Sequence, residues 1–161
     1  MQFDIRRGET GLTTETTIAS QESFKSKTTM GQTYSNEICL KVRNEEEAVR
    51  RIRLFMANHT NTDFRLDYYK GQLGVDVDSM HGLLQVVYGG WNGKLTPFKD
   101  KETGYDGFYS DFDACYGWES VMTSCFAAMA PCLEDGSWLR IYPDNDYDLL
   151  KVENGTAVWI H

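Results

Sequence analysis

The sequence predicts one α+β domain spanning residues 1–161, an antiparallel sheet of several hairpins packed against two amphipathic helices. Three observations carry that expectation. Short period-2 stretches recur along the chain and are joined by turn residues rather than by crossover helices. Only 44–57 and 118–129 show the three- and four-residue apolar spacing of an amphipathic helix. A chain of 161 residues is also the size of one domain, able to bury roughly 70% of its unfolded surface without a metal or disulfide staple.

Met1 to Arg7 alternates, with Phe3 and Ile5 on one side, and reads as a short strand. Residues 8–36 are rich in Ser and Thr, with scattered Leu12, Ile18, Phe24 and Met30. Thr favours strands, so a long, partly exposed hairpin competes there with a polar loop. Ile38, Leu40 and Val42 alternate and make a firmer strand. Asn44 then caps the first helix, with Glu47 completing a capping-box pair and Glu45 and Glu46 meeting the positive end of the dipole. Its apolar face is Val49, Ile52, Phe55 and Met56. Arg50 and Arg51 find i,i+3 and i,i+4 partners in Glu46 and Glu47, so the arginine cluster that also includes Arg43 and Arg53 reads as a solvated face.

Phe64, Leu66 and Tyr68, a Lys70-Gly71 turn, and Leu73, Val75 and Val77 predict a hairpin. Residues 83–88 predict another strand, ended by Gly89-Gly90. The second helix carries Trp118, Val121, Met122, Cys125, Phe126 and Met129 on one side, with Asp113 as its cap and Pro131 as its stop. Strands at 137–142, 147–152 and 156–160 close the chain, the last two joined at Asn154-Gly155.

Function is less legible. The 16 basic and 24 acidic residues leave a net charge of −8, which argues against a nucleic-acid-coating role. The charge is uneven: residues 1–99 hold 13 basic and 12 acidic side chains, and 100–161 hold 3 and 12. The start of the chain lacks the apolar stretch of a signal peptide, and no run is long enough to span a membrane. Cys39, Cys115, Cys125 and Cys132 show neither a C-x-x-C pair nor a zinc spacing, so a cytoplasmic protein with reduced thiols, no metal and no cofactor is expected.

Residues 88–118 hold nine of the 21 aromatics and six of the 14 glycines and show no clean period, which predicts an irregular loop. That loop is either a binding surface anchored by its aromatics or an Ω-loop packed back on the sheet. Asp144, Asp146 and Asp148 resemble the first half of a calcium loop. Leu149 and Gly155, however, occupy the places that need Gly and a bidentate Glu.

Catalytic arrangements are thin. His59, His81 and His161 show no metal-protease spacing, and no nucleophile elbow or phosphate loop occurs. Cys115 stands near the start of the second helix, where a dipole lowers a thiol pKa, while Asp111 and Asp113 oppose it. In size and acidity the chain is similar to small inhibitors of phages and mobile elements, such as anti-CRISPR, anti-restriction and nuclease-immunity proteins. That is a likeness of class, without aligned residues. It implies a non-enzymatic inhibitor whose partner is a protein with a basic nucleic-acid-binding cleft, with no direct contact to nucleic acid or membrane. Asp106, Asp111, Asp113, Asp144, Asp146 and Asp148 are the expected carboxylates for that cleft, and Trp91, Tyr105, Phe108 and Tyr109 the apolar anchors. A small hydrolase or transferase using Cys115 or paired carboxylates, and a structural or self-assembling accessory protein, are the alternatives.

Overall fold

The structure, a computed structural model, describes residues 31–142 and 148–160. The expected strand at 1–7 and the part of the 8–36 segment before Gly31 lie outside the described residues. In chain order the elements are β1 (Gly31–Leu40), α1 (Glu45–Asn58), α2 (Leu66–Gln72), α3 (Met80–Tyr88), β2 (Thr96–Lys99) and β3 (Asp106–Cys115). They continue with α4 (Trp118–Met129), a 3₁₀ turn at Ala130–Cys132, β4 (Trp138–Tyr142), β5 (Asp148–Glu153) and β6 (Thr156–Ile160). The strands form one six-stranded sheet in the order β2-β3-β1-β4-β5-β6, and every neighbouring pair is antiparallel. The fold is α+β, as the sequence implies.

Alternation along β1 sets the two faces. Tyr34, Asn36 and Ile38 are buried on one side, and Thr33, Ser35 and Glu37 lie on the other. Residues 31–36 are therefore strand, which settles that part of the Ser/Thr-rich segment in favour of extended structure. Their cross-strand partners carry the pattern outward: Tyr34 faces Phe112, and Ile38 faces Phe108 and Leu139. Tyr34, Ile38, Phe112, Leu139 and Ile141 join buried side chains of α1, α3 and α4 in a single core. The helices thus cover one face of the sheet, where burying each large apolar side chain contributes about 1.5–3 kcal/mol.

The first helix forms as expected. Asn44 is its N-cap and its side chain accepts from Glu47 N–H at 3.0 Å, which satisfies one orphan donor. Glu47 pairs with both Arg50 and Arg51 on the solvated side, and Arg53 reaches Asp78 at 2.9 Å. The Asn154-Gly155 turn also forms, with φ of 54° and 74° and Glu153 opposite Thr156. Both residues are left-handed, as a type I′ hairpin requires.

Four expectations are corrected. The hairpin proposed across 64–77 is the helix α2 followed by a loop, and the strand proposed at 83–88 is the helix α3. Short apolar runs fit either period, and here tertiary packing decides. Ser79 caps α3 by accepting from Gly82 N–H at 3.0 Å. Leu83, Leu84, Val86, Val87 and Tyr88 are all buried, so the helix is apolar nearly all round and shows no polar stripe. The segment 88–118 is not a long irregular loop, because it contains β2 and β3. Its period was hidden because Gly107 and Ser110 occupy buried positions and carboxylates occupy exposed ones. Finally, Asp113 does not cap α4. It lies within β3, and Gly117, at φ 87°, precedes the helix.

Candidate functional site

The face of the sheet away from the core brings together three of the predicted site residues, all on β3. On β3, Tyr109, Asp111 and Asp113 alternate outward and are exposed. Same-face neighbours on one strand lie about 7 Å apart. Across β1 they meet Glu37, Ser35 and Thr33 in register, and β4 continues the rows with Arg140 and Tyr142. The result is a polar surface of carboxylates, hydroxyls and one large exposed ring on adjacent central strands.

The two aspartates are held by neutral donors. Asp111 accepts from the Ser35 hydroxyl and, at 2.7 Å, from Tyr109 Oη. Asp113 accepts from Thr33 Oγ1 at 2.7 Å and from Asn92 Nδ2 at 2.9 Å. The backbone N–H of Asp113 donates to Asn92 Oδ1 at 3.0 Å, so the Asn92 amide ties the segment before β2 to both the backbone and the side chain of Asp113. The hydrogen bond to the Asp111 carboxylate, followed by its charge, holds the Tyr109 phenol above its ordinary value. Among the described residues no cation pairs with Asp111 or Asp113. Glu37 differs, because Arg140 approaches it at 3.6 Å.

The end of this face near β2 is closed instead of open. Asp100 accepts from Thr103 Oγ1 at 2.6 Å and from Trp138 Nε1 at 3.1 Å. The Thr103 hydroxyl, then the indole, holds its carboxyl below the usual range. Phe98 lies 6.2 Å from the Trp138 ring, and the Arg140 guanidinium lies 5.1 Å from the centre of that ring. Cys39 is buried in this small second cluster, and desolvation followed by the Asp100 charge pushes its thiol up to about 11. Such a thiol is inert at neutral pH.

The remaining predicted residues scatter. Asp106 lies at the start of β3, on the other register, and pairs with Lys99 at 2.9 Å. Tyr105 folds onto the turn before β4, where its hydroxyl donates to Asp135 O at 2.8 Å. Phe108 points to the helix side, half-buried, with its ring 5.2 Å from His81. Trp91 is 59% exposed and stands next to Asn92, the residue that clamps Asp113. Asp148 opens β5, while Asp144 and Asp146 lie outside the described residues. Cys115 ends β3, exposed and on the same register as Asp111 and Asp113. His59 packs against Phe55 and Phe64 at the end of α1.

Thr33, Ser35, Glu37, Arg140 and Tyr142 also belong to this face, and the sequence alone does not single them out. The period-2 pattern of 33–38 could have revealed the first three. Its apolar members, however, include the buried Asn36, which reads as polar. Among the described residues no group of three or more His, Cys, Asp or Glu side chains could hold a metal ion, and no helix is long and apolar enough to cross a membrane. No family model, curated protein or solved structure matches this chain.

Proposed function

We propose that this protein is a non-enzymatic, acidic inhibitor of a nucleic-acid-processing enzyme, of the kind carried by phages and mobile elements. It acts in the cytoplasm by occupying the target's basic cleft with the open face of its sheet. The observation that carries this reading is the way Asp111 and Asp113 are fixed. Hydroxyl and amide donors hold their oxygens in place without cancelling their charge. A rigid sheet therefore presents preorganised anions, and little ordering entropy is lost when a basic partner docks. Tyr109, 41% exposed, and the neighbouring Trp91 supply aromatic area beside the charges. The acidic excess of residues 100–161 adds long-range steering toward a basic surface.

The test is affinity capture from the native host at low and high salt, followed by displacement with duplex DNA. The expected outcome is a basic nucleic-acid-binding protein that is retained at low salt and released by DNA. Recovery of no such protein at low salt overturns the reading. A second reading is favoured by one observation, the exposure of Cys115 on the same face. If Cys115→Ser abolishes a hydrolase or transferase activity of the purified protein, that reading replaces the first.

A further inference from the structure

The sheet has two free edges among the described residues, and they are built differently. The β2 edge is four residues long and carries Pro97 and Lys99, both common devices against strand pairing. The β6 edge, Thr-Ala-Val-Trp-Ile, has neither a proline nor a charge, although the chain carries a net charge of −8. Trp159 and Ile160 on it are 49% and 38% exposed.

The register shows which backbone groups this edge offers. Val152 N–H donates to Ser137 O, and Val152 O accepts from Gly136 N–H, so Val152 bonds toward β4. In an antiparallel ladder the inward and outward residues alternate. Lys151 and Glu153 therefore bond to Val158 and Thr156, their partners on β6. Ala157 and Trp159 are left with N–H and C=O pointing out of the sheet, and among the described residues no backbone group meets them.

We infer that β6 is a self-pairing edge, through which two copies of this chain join antiparallel about a two-fold axis at Val158. Only this register uses both outward residues of both copies. It pairs Ala157 with the partner's Trp159 and Trp159 with the partner's Ala157, which closes two hydrogen-bonded rings. Each exposed indole then lies against the smallest side chain of the facing strand, and no carboxylate of β6 opposes the approach. The two sheets become one of twelve strands. A contact of two five-residue strands falls below the roughly 1,200 Å² of a standard interface, so the dimer is weak and reversible. The open face bearing Asp111 and Asp113 is left uncovered, because β6 and β3 are separated by three strands.

Cysteine crosslinking tests the register. In a Cys115→Ser background, Val158→Cys places two thiols directly opposite one another. As a non-hydrogen-bonded pair their Cα atoms lie about 4.5 Å apart, within the roughly 4.4–6.8 Å that a disulfide spans. Oxidised glutathione is expected to give a covalent dimer rapidly. Thr156→Cys in the same background faces the partner's Ile160 and lies about 14 Å along the strand from its own copy, so it is expected to stay monomeric on a non-reducing gel. Sedimentation of the unmodified protein is expected to show a mass that rises with concentration. Trp159→Pro, which deletes an outward N–H and no internal one, is expected to abolish that rise while retaining the circular dichroism of the fold. A wild-type protein that stays monomeric at every concentration, or crosslinking of Thr156→Cys as fast as Val158→Cys, overturns the inference.

Discussion

β3 serves two surfaces at once. Phe108, Ser110 and Phe112 turn toward the helices, while Tyr109, Asp111 and Asp113 turn away from them. On the helix side Phe112 is 2% exposed and packs so closely on the segment after α3 that Gly93 has no room for a Cβ. An added carbon there would lie 2.4 Å from Gly89 O and 2.7 Å from Phe112 Cβ. On the open side the same strand spends its side chains on hydrogen bonds between exposed groups, which contribute little to stability. One face of the strand is held by close packing and the other by hydrogen bonds between exposed polar groups.

Mutations can break this contrast. Phe112→Ala leaves a cavity between β3 and Gly90, and the expected loss is about 3–5 kcal/mol in the unfolding free energy measured by urea titration. Asp111→Ala, one residue away in sequence, is expected to cost less than about 1 kcal/mol in the same assay. Equal costs would mean that the two faces are not distinct.

Ser110→Ala sharpens the comparison from the helix side. Ser110 and Asn36 are cross-strand partners, each 1% exposed, and among the described residues neither Ser110 Oγ nor Asn36 Oδ1 has a hydrogen-bond partner. Asn36 keeps its amide on Tyr88 O at 2.8 Å, so its burial is half compensated. Removing the Ser110 hydroxyl relieves an unsatisfied group and is expected to leave stability unchanged or raise it by about 1 kcal/mol. A large loss on thermal unfolding would show that the hydroxyl is satisfied in solution.

The smallest effect concerns pH. His59 is half-buried against Phe55 and Phe64, and burial holds its pKa below the ordinary value. The folded state therefore favours the neutral ring. Its contribution is complete above the unfolded pKa of about 6.5 and is lost as pH falls through the lower folded value. His59→Gln is expected to flatten the decline in melting temperature between about pH 7 and pH 5. An unchanged decline would place the pH sensitivity elsewhere.

How far the sequence could be read depended on what each segment packs against. The first helix was legible because Asn44, Glu47 and the four apolar positions all point to one answer. The β5–β6 hairpin was legible because only a left-handed pair such as Asn154-Gly155 closes it in two residues. The third helix was hidden because both its sides are buried, which removes the polar stripe that marks a helix. On the open face, Tyr109, Asp111 and Asp113 were nameable by charge and ring. Their neighbours Thr33 and Ser35 were not, since a surface hydroxyl gains its role only from the strand paired with it. Asp106, Tyr105 and Phe108 were drawn in by proximity in sequence, yet alternation and turns send them elsewhere.

The central claim is that the open face binds a basic partner through its fixed carboxylates. The most direct measurement compares the wild-type chain with Asp111→Lys/Asp113→Lys for association with the captured target at low and high salt. Rim charges act mainly on association rate and salt dependence. The double variant is expected to remain folded, bind at least about tenfold more weakly at low salt, and lose most of its salt dependence. Unchanged association with unchanged salt dependence would contradict it.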